Sequence, residues 1–183
     1  MSVTQWVYNT YSSDEKGLQE SRNFVFVWSL FENQIKNFTG NLRTSSFDKW
    51  VQTLEIKQEQ NGISIKEPST ENYIENELIG YINKAFNHFY QKYTNDNKQF
   101  LNHLYNQTDD QTQDAKTRFQ DFLTSFDKKN IRDKIIFLFH ISKRIRNKFF
   151  HGIKNIDEIT SEQKEFEKIN GYLIAILSLI EQY

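Results

Sequence analysis

The segment that most restricts how this chain can fold is its last apolar stretch. Phe166, Ile169, Leu173, Ile176, Ile180 and Tyr183 recur by threes and fours in a heptad-like seam, while Tyr172, Ile174, Leu177 and Leu179 make the same stretch apolar all round. A helix without a polar face has to be covered on most sides. A central place in a bundle and burial against another subunit both meet that demand, and the spacing does not choose between them. Ser161 is placed to cap this helix, after a short loop over residues 155–160.

The covering elements show as further helical periods. Phe24, Val27, Trp28, Phe31, Ile35 and Phe38 follow at offsets of 0, 3, 4, 7, 11 and 14, which predicts an amphipathic helix capped by Ser21 and closed by Gly40. Residues 1–21 mix Tyr, Ser, Asp and Glu without a period and read as an arm. Phe47, Trp50, Val51 and Leu54 predict a second helix from Ser46. Beyond it, the alternation of Leu54 and Ile56 with Ile63 and Ile65 about Asn61-Gly62 suits a small hairpin, although a helix followed by a loop through Pro68 is the preferred reading. Ile74, Leu78, Tyr81, Ala85, Phe89 and Tyr93 mark a third long helix. The stretch 94–114, rich in Asn, Asp and Gln, is a polar connection with a short helix around Phe100 to Tyr105. Ala115, Phe119, Phe122, Leu123 and Phe126 then make another helix that ends near Lys128-Lys129. The expected fold is an all-α, up-and-down bundle in one domain over residues 1–183, with extra helices inserted between residues 41 and 130.

Composition narrows the class of function. A chain of 183 residues suffices for one domain with a real core. Hydrophobic residues make up 37% and mean hydropathy is -0.74, so the core leans on sixteen Phe, nine Tyr and three Trp. With no cysteine there is no disulfide and no thiolate metal site, which suits a reducing cytoplasm. The first residues lack the basic start and apolar run of a signal peptide, and the longest apolar run, 171–180, is too short to span a bilayer. A cytoplasmic protein with no membrane partner is expected.

Charge is unevenly placed. Net charge is only -1, yet residues 128–154 hold nine Lys or Arg against one acid, Asp133, which leaves 14 basic and 23 acidic residues for the rest of the chain. A concentrated basic patch is what local phosphate binding requires, because counterions are released where charge is dense. Within it Ile131, Ile135, Leu138, Ile145 and Phe149 recur at helical spacing, Lys143, Arg144, Arg146, Asn147 and Lys148 form the polar face, and the pattern stops at His151-Gly152. The plain structural reading is a helix C-terminus whose basic residues and His complement the dipole, followed by Gly as C′. No phosphate-binding glycine loop, H-E-x-x-H or zinc pattern is present to suggest another chemistry.

The closing phrase, Arg146-Asn147-Lys148-Phe149-Phe150-His151-Gly152, resembles the R-x4-6-H motif of the HEPN superfamily, in particular the branch with an R-N-x-x-x-H-G phrase. The resemblance spans the first apolar helix and everything after Ile131. It implies a HEPN-like helical bundle and a metal-independent endoribonuclease of the kind found in toxin-antitoxin, abortive-infection and other antiviral-defence systems. Such a protein works on an RNA substrate as a homodimer, without a cofactor, and has an antitoxin or defence-system partner. Some members carry an acidic residue on the first helix near the active site, which implies a supporting role for Glu32. The H-x-Y extension of members silenced by AMPylation is absent, since Gly152 and Ile153 follow His151.

The residue types suit that chemistry. RNA supplies its own nucleophile, the 2′-hydroxyl, so the enzyme needs a proton-transfer group and something to hold the charge of the phosphorane. His151 is the natural acid/base because its ordinary pKa lies near neutrality. Arg146 offers a fixed fork of donors for phosphate oxygens. Asn147, four residues before His151 on the same helical face, can orient the imidazole or bind a phosphate. Lys143, Arg144, Lys148 and Lys154 are candidate RNA-phosphate contacts, with Arg144 an auxiliary two turns from His151. In an unbroken helix Arg146 points about 140° away from His151. Either the helix deforms before Gly152, or the site is completed across a dimer, where a second His151 supplies the missing acid. His88, His103 and His140 read as structural or surface groups. The alternative function is a noncatalytic HEPN module, a helical dimer that binds RNA, nucleotide or a protein partner.

Overall fold

The computed structural model describes residues 16–59, 62–74, 76–151 and 156–180. In chain order the elements are α1 (Lys16–Thr39), α2 (Thr44–Thr53), β1 (Glu55–Glu59), β2 (Gly62–Lys66), β3 (Tyr73–Ile74), α3 (Asn76–Asn95), α4 (Asn97–Leu104), α5 (Asp110–Ser125), α6 (Ile131–Phe150), α7 (Ile156–Ser161) and α8 (Gln163–Ile180). The chain is mostly helical, as the periods predict, with one small sheet that an all-α bundle leaves out.

The last apolar helix, α8, takes a central place. Phe166, Ile169, Tyr172, Leu173, Ala175, Ile176, Leu177, Leu179 and Ile180 are buried, with α1, α3 and β3 packed against the helix, and of its apolar side chains only Ile174 is exposed. The cover that its all-round apolarity demands therefore comes from its own subunit, and this helix alone gives no reason for a dimer. Tyr172 sends its hydroxyl to the Ile135 carbonyl of α6 at 3.0 Å, which satisfies a polar atom buried at the centre. Gln163 Oε1 accepts from the Glu20 amide at 2.8 Å, and Asn170 Nδ2 donates to the Glu20 carbonyl at 3.0 Å, so α8 is locked onto α1 at its polar end.

In α1 the expected stripe of Phe24, Trp28, Phe31 and Ile35 is buried. Gly40, at φ +70°, makes the left-handed turn that ends this helix. Ser21 is not its cap, because the helix already runs from Lys16 and the Ser21 hydroxyl donates to the Leu18 carbonyl. Residues 1–15 of the expected arm lie outside the described residues.

The middle of the chain departs from the preferred reading, since the hairpin forms. β1 and β2 pair antiparallel with Ile56 opposite Ile65, and β2 pairs with β3 with Ile65 opposite Ile74, both of them fully buried. Helical structure stops at Thr53 because Leu54 turns extended (φ -60°, ψ 135°) and Arg132 Nη2 of α6 takes its carbonyl at 2.7 Å. A contact across 78 residues thus decides a local choice. Ile74, expected to open the third helix, lies on β3 instead. The expected loop before α8 contains α7, and Ser161 closes that helix with a hydroxyl bond to the Glu158 carbonyl rather than capping α8.

α6 is unbroken over its whole length, with Asn130 Oδ1 accepting from the Arg132 amide at its start. Phe139 stacks on Phe47 of α2 with centroids 3.9 Å apart and planes 11° from parallel. Phe137 meets Phe86 of α3 and Phe119 of α5, and Phe149 meets Phe24 of α1 and Phe166 of α8. These ring contacts fix the last turns of α6, and with them the Arg-Asn phrase, relative to α1 and α5.

Candidate functional site

Much of the basic stretch is engaged in holding the fold. Besides the Arg132 contact, Lys134 Nζ donates to Asn83 Oδ1 at 2.8 Å and Lys143 Nζ to the Leu42 carbonyl at 2.7 Å. Arg144 Nε donates to the Leu104 carbonyl at 2.6 Å and Lys148 Nζ to the His103 carbonyl at 2.7 Å. Leu54, His103 and Leu104 sit at the C-terminal ends of α2 and α4, where carbonyls lack intrahelical partners and the helix dipole is negative, while Leu42 lies in the turn between α1 and α2. One helix thus supplies donors to the C-terminal carbonyls of two others and to the turn between α1 and α2.

The cations that flank Arg146 differ from it in exposure. Arg144 and Lys148 are only 6% and 3% exposed. Arg144 also donates Nη2 to Gln107 Oε1 at 3.0 Å and lies over the Tyr105 ring, so its guanidinium holds the turn after α4. Lys143 is only half-buried and borders a polar cleft between α5 and α6. Lys154 and Gly152 lie outside the described residues.

Arg146 is used differently. Its Nη2 stands 3.5 Å from Glu32 Oε2 on α1, Nη1 donates to Asn147 Oδ1 at 3.3 Å, and the guanidinium lies over the Phe150 ring at 5.1 Å. Its buried Nε has no hydrogen-bond partner among the described residues. Glu32 accepts from Trp28 Nε1 and from Lys36 Nζ, each at 2.9 Å. Burial pushes the Glu32 carboxyl up, but those hydrogen bonds and the charges of Lys36 and Arg146 outweigh it and hold the pKa below its ordinary value. Glu32 is therefore a fixed anion beside Arg146.

His151 is the C-cap of α6, exposed, at φ -90° and ψ 12°, with its amide bonded to the Asn147 carbonyl at 3.1 Å. The helix does not deform before it, so the divergence of about 140° between Arg146 and His151 persists within the subunit. Arg146 meets α1, whereas Asn147 lies one turn before His151 on the other side of the helix. That side has its own polar cleft, of about 240 Å³, lined by Thr44, Gln111, Asp114, Arg118, Lys143 and Asn147 among others. Arg118 comes from α5 and is bonded to Asp114 one turn earlier, Nη2 to Oδ2 at 2.7 Å. Nothing in the sequence marks Arg118, because an Asp-Arg pair at i,i+4 reads as a solvated helix face. Only the packing of α5 on α6 brings it to the motif.

The other histidines are engaged elsewhere. His103 Nε2 lies 3.2 Å from Glu162 Oε1, and His88 Nε2 lies 3.7 Å from Glu165 Oε1. His140 is buried against the Phe119 and Phe122 rings, at 5.0 and 5.5 Å. Burial, and after it the charge of Lys143, lowers its pKa to about 4. From an ordinary value of about 6.5 down to the folded value, the unfolded chain binds a proton that the folded chain refuses. The stabilisation is complete above the ordinary pKa and is lost as pH falls through that window. A His140→Phe variant is expected to lose this slope. Between about pH 7 and 5.5 its thermal midpoint, followed by circular dichroism, should fall less than that of the wild type; an equal fall would remove His140 as the titrating group.

Among the described residues, no group of three or more His, Cys, Asp or Glu is placed to hold a metal ion, and no helix is long and apolar enough to cross a membrane. No protein-family model, curated protein or solved structure matches this chain.

Proposed function

We propose that the protein is a metal-independent endoribonuclease of HEPN type, a homodimeric toxin or antiviral-defence effector of the cytoplasm. What carries this reading is the division of labour along α6. Arg132, Lys134, Lys143, Arg144 and Lys148 donate to carbonyls or an amide of neighbouring elements, whereas Arg146 meets a fixed carboxylate and His151 stands exposed at the helix end. A poised guanidinium and an accessible imidazole are the two groups that 2′-hydroxyl attack requires. His151 takes the 2′-hydroxyl proton as that oxygen attacks the adjacent phosphorus, while the departing 5′-oxygen takes a proton from water. Arg146 carries the charge on the nonbridging oxygens. Because the two side chains diverge on one helix, each cleft takes Arg146 from one subunit and His151 from the other.

The same divergence favours a second reading, a noncatalytic HEPN module that binds RNA, nucleotide or a protein partner. Cleavage of single-stranded RNA in EDTA separates the two. The expected products carry a 2′,3′-cyclic phosphate or its 3′-phosphate hydrolysis product, with a 5′-hydroxyl on the downstream fragment, and a 2′-O-methyl group at the cleaved position should block the reaction. Activity lost in EDTA and regained with magnesium, or equal cutting of DNA, would refute the mechanism. RNA binding without cleavage would favour the second reading.

A further inference from the structure

We infer that the cleft between α5 and α6 lined by Arg118, Lys143 and Asn147 is a phosphate subsite, which seats a backbone phosphate of RNA beside the bond that His151 addresses. The inference rests on the ribonuclease reading and says how that site grips its substrate. Lys143, Asn147 and His151 are spaced by four on an unbroken helix, so they form one ladder along a single face, about 12 Å from first to last. Arg118 faces the ladder across the cleft.

Each member keeps a donor for an anion. Lys143 Nζ makes one hydrogen bond, to Leu42, of the three an ammonium can make. Asn147 accepts at Oδ1 from Arg146, which leaves its amide N–H groups to donate. Arg118 is held in place by Asp114, and an exposed pair of this kind is weak enough for a phosphate to compete with. Asp114 is the one acid among the residues lining the cleft, against Arg118, Lys143 and Arg144. The like charges press on one another: the pKa of Lys143 is lowered first by burial and then by Arg118 and Arg146. An anion entering the cleft would relieve that repulsion. The volume of about 240 Å³ lies below the range of roughly 300 Å³ upward that encloses a whole small-molecule ligand, and it fits a single charged group.

The test uses the full chain and an oligoribonucleotide carrying 2′-O-methyl groups throughout, which cannot be cleaved, with binding followed by fluorescence anisotropy over a series of salt concentrations. Because Arg118 is exposed on α5, Arg118→Ala is expected to stay folded. It should bind roughly three- to tenfold more weakly and lower the slope of log K against log salt by about one. Arg118→Lys, which keeps the charge, should keep the slope. Wild-type affinity and slope in Arg118→Ala would overturn the subsite and leave the ribonuclease reading standing. A wild-type protein that binds the oligonucleotide at no salt concentration would overturn both.

Discussion

A His151→Ala chain is expected to cleave RNA about 10²- to 10⁴-fold more slowly than the wild type, the amount a positioned proton-transfer group contributes. The imidazole is exposed at the end of α6, so its removal should leave the thermal midpoint nearly unchanged. Arg146→Ala should cost roughly 10²- to 10³-fold, in line with losing one electrostatic stabiliser of the transition state. Its pair with Glu32 is only partly buried, and so its effect on stability should be small. A mixture of the two inactive variants distinguishes a shared site from a site within one subunit. In a twofold dimer with one Arg146 and one His151 per cleft, random exchange makes half of the dimers mixed, each with one intact cleft, and about a quarter of wild-type activity should return. Full activity in a folded His151→Ala protein would end the catalytic assignment, and no recovery on mixing would end the shared cleft.

Arg144→Ala should behave in the opposite way, with a collapse of stability. Arg144 is buried, donates to Leu104 and Gln107 and covers Tyr105. Removing it breaks charge-assisted hydrogen bonds and leaves the Leu104 carbonyl at the end of α4 without its partner. The expected loss is about 3 kcal/mol, read as a shift of the urea midpoint at constant slope. Arg144→Lys should recover little, because an ammonium has no planar fork to span the two acceptors. If Arg144→Ala were as stable as wild type but defective in RNA binding, Arg144 would have to be a phosphate contact after all.

Helical stripes such as Phe24, Trp28, Phe31 and Ile35 were legible because the period of a helix is a local property, and burial of one stripe follows from it. The all-round apolarity of α8 likewise dictated that it be covered, while the chain's own α1, α3 and β3 decided what covers it. The hairpin was less legible, since Leu54 fits a helix or a strand and Arg132, 78 residues away, settles the matter.

The distribution of charge marks the basic segment that holds the Arg-Asn-His phrase, and spacing along a helix sets Arg146 and His151 on different sides. Neither says that Lys143, Arg144 and Lys148 donate to backbone carbonyls of other segments, that Glu32 stands beside Arg146, or that Arg118 borders the His151 face. Those outcomes depend on which acceptor lies within about 3 Å of a cation, and that is decided by how distant segments pack.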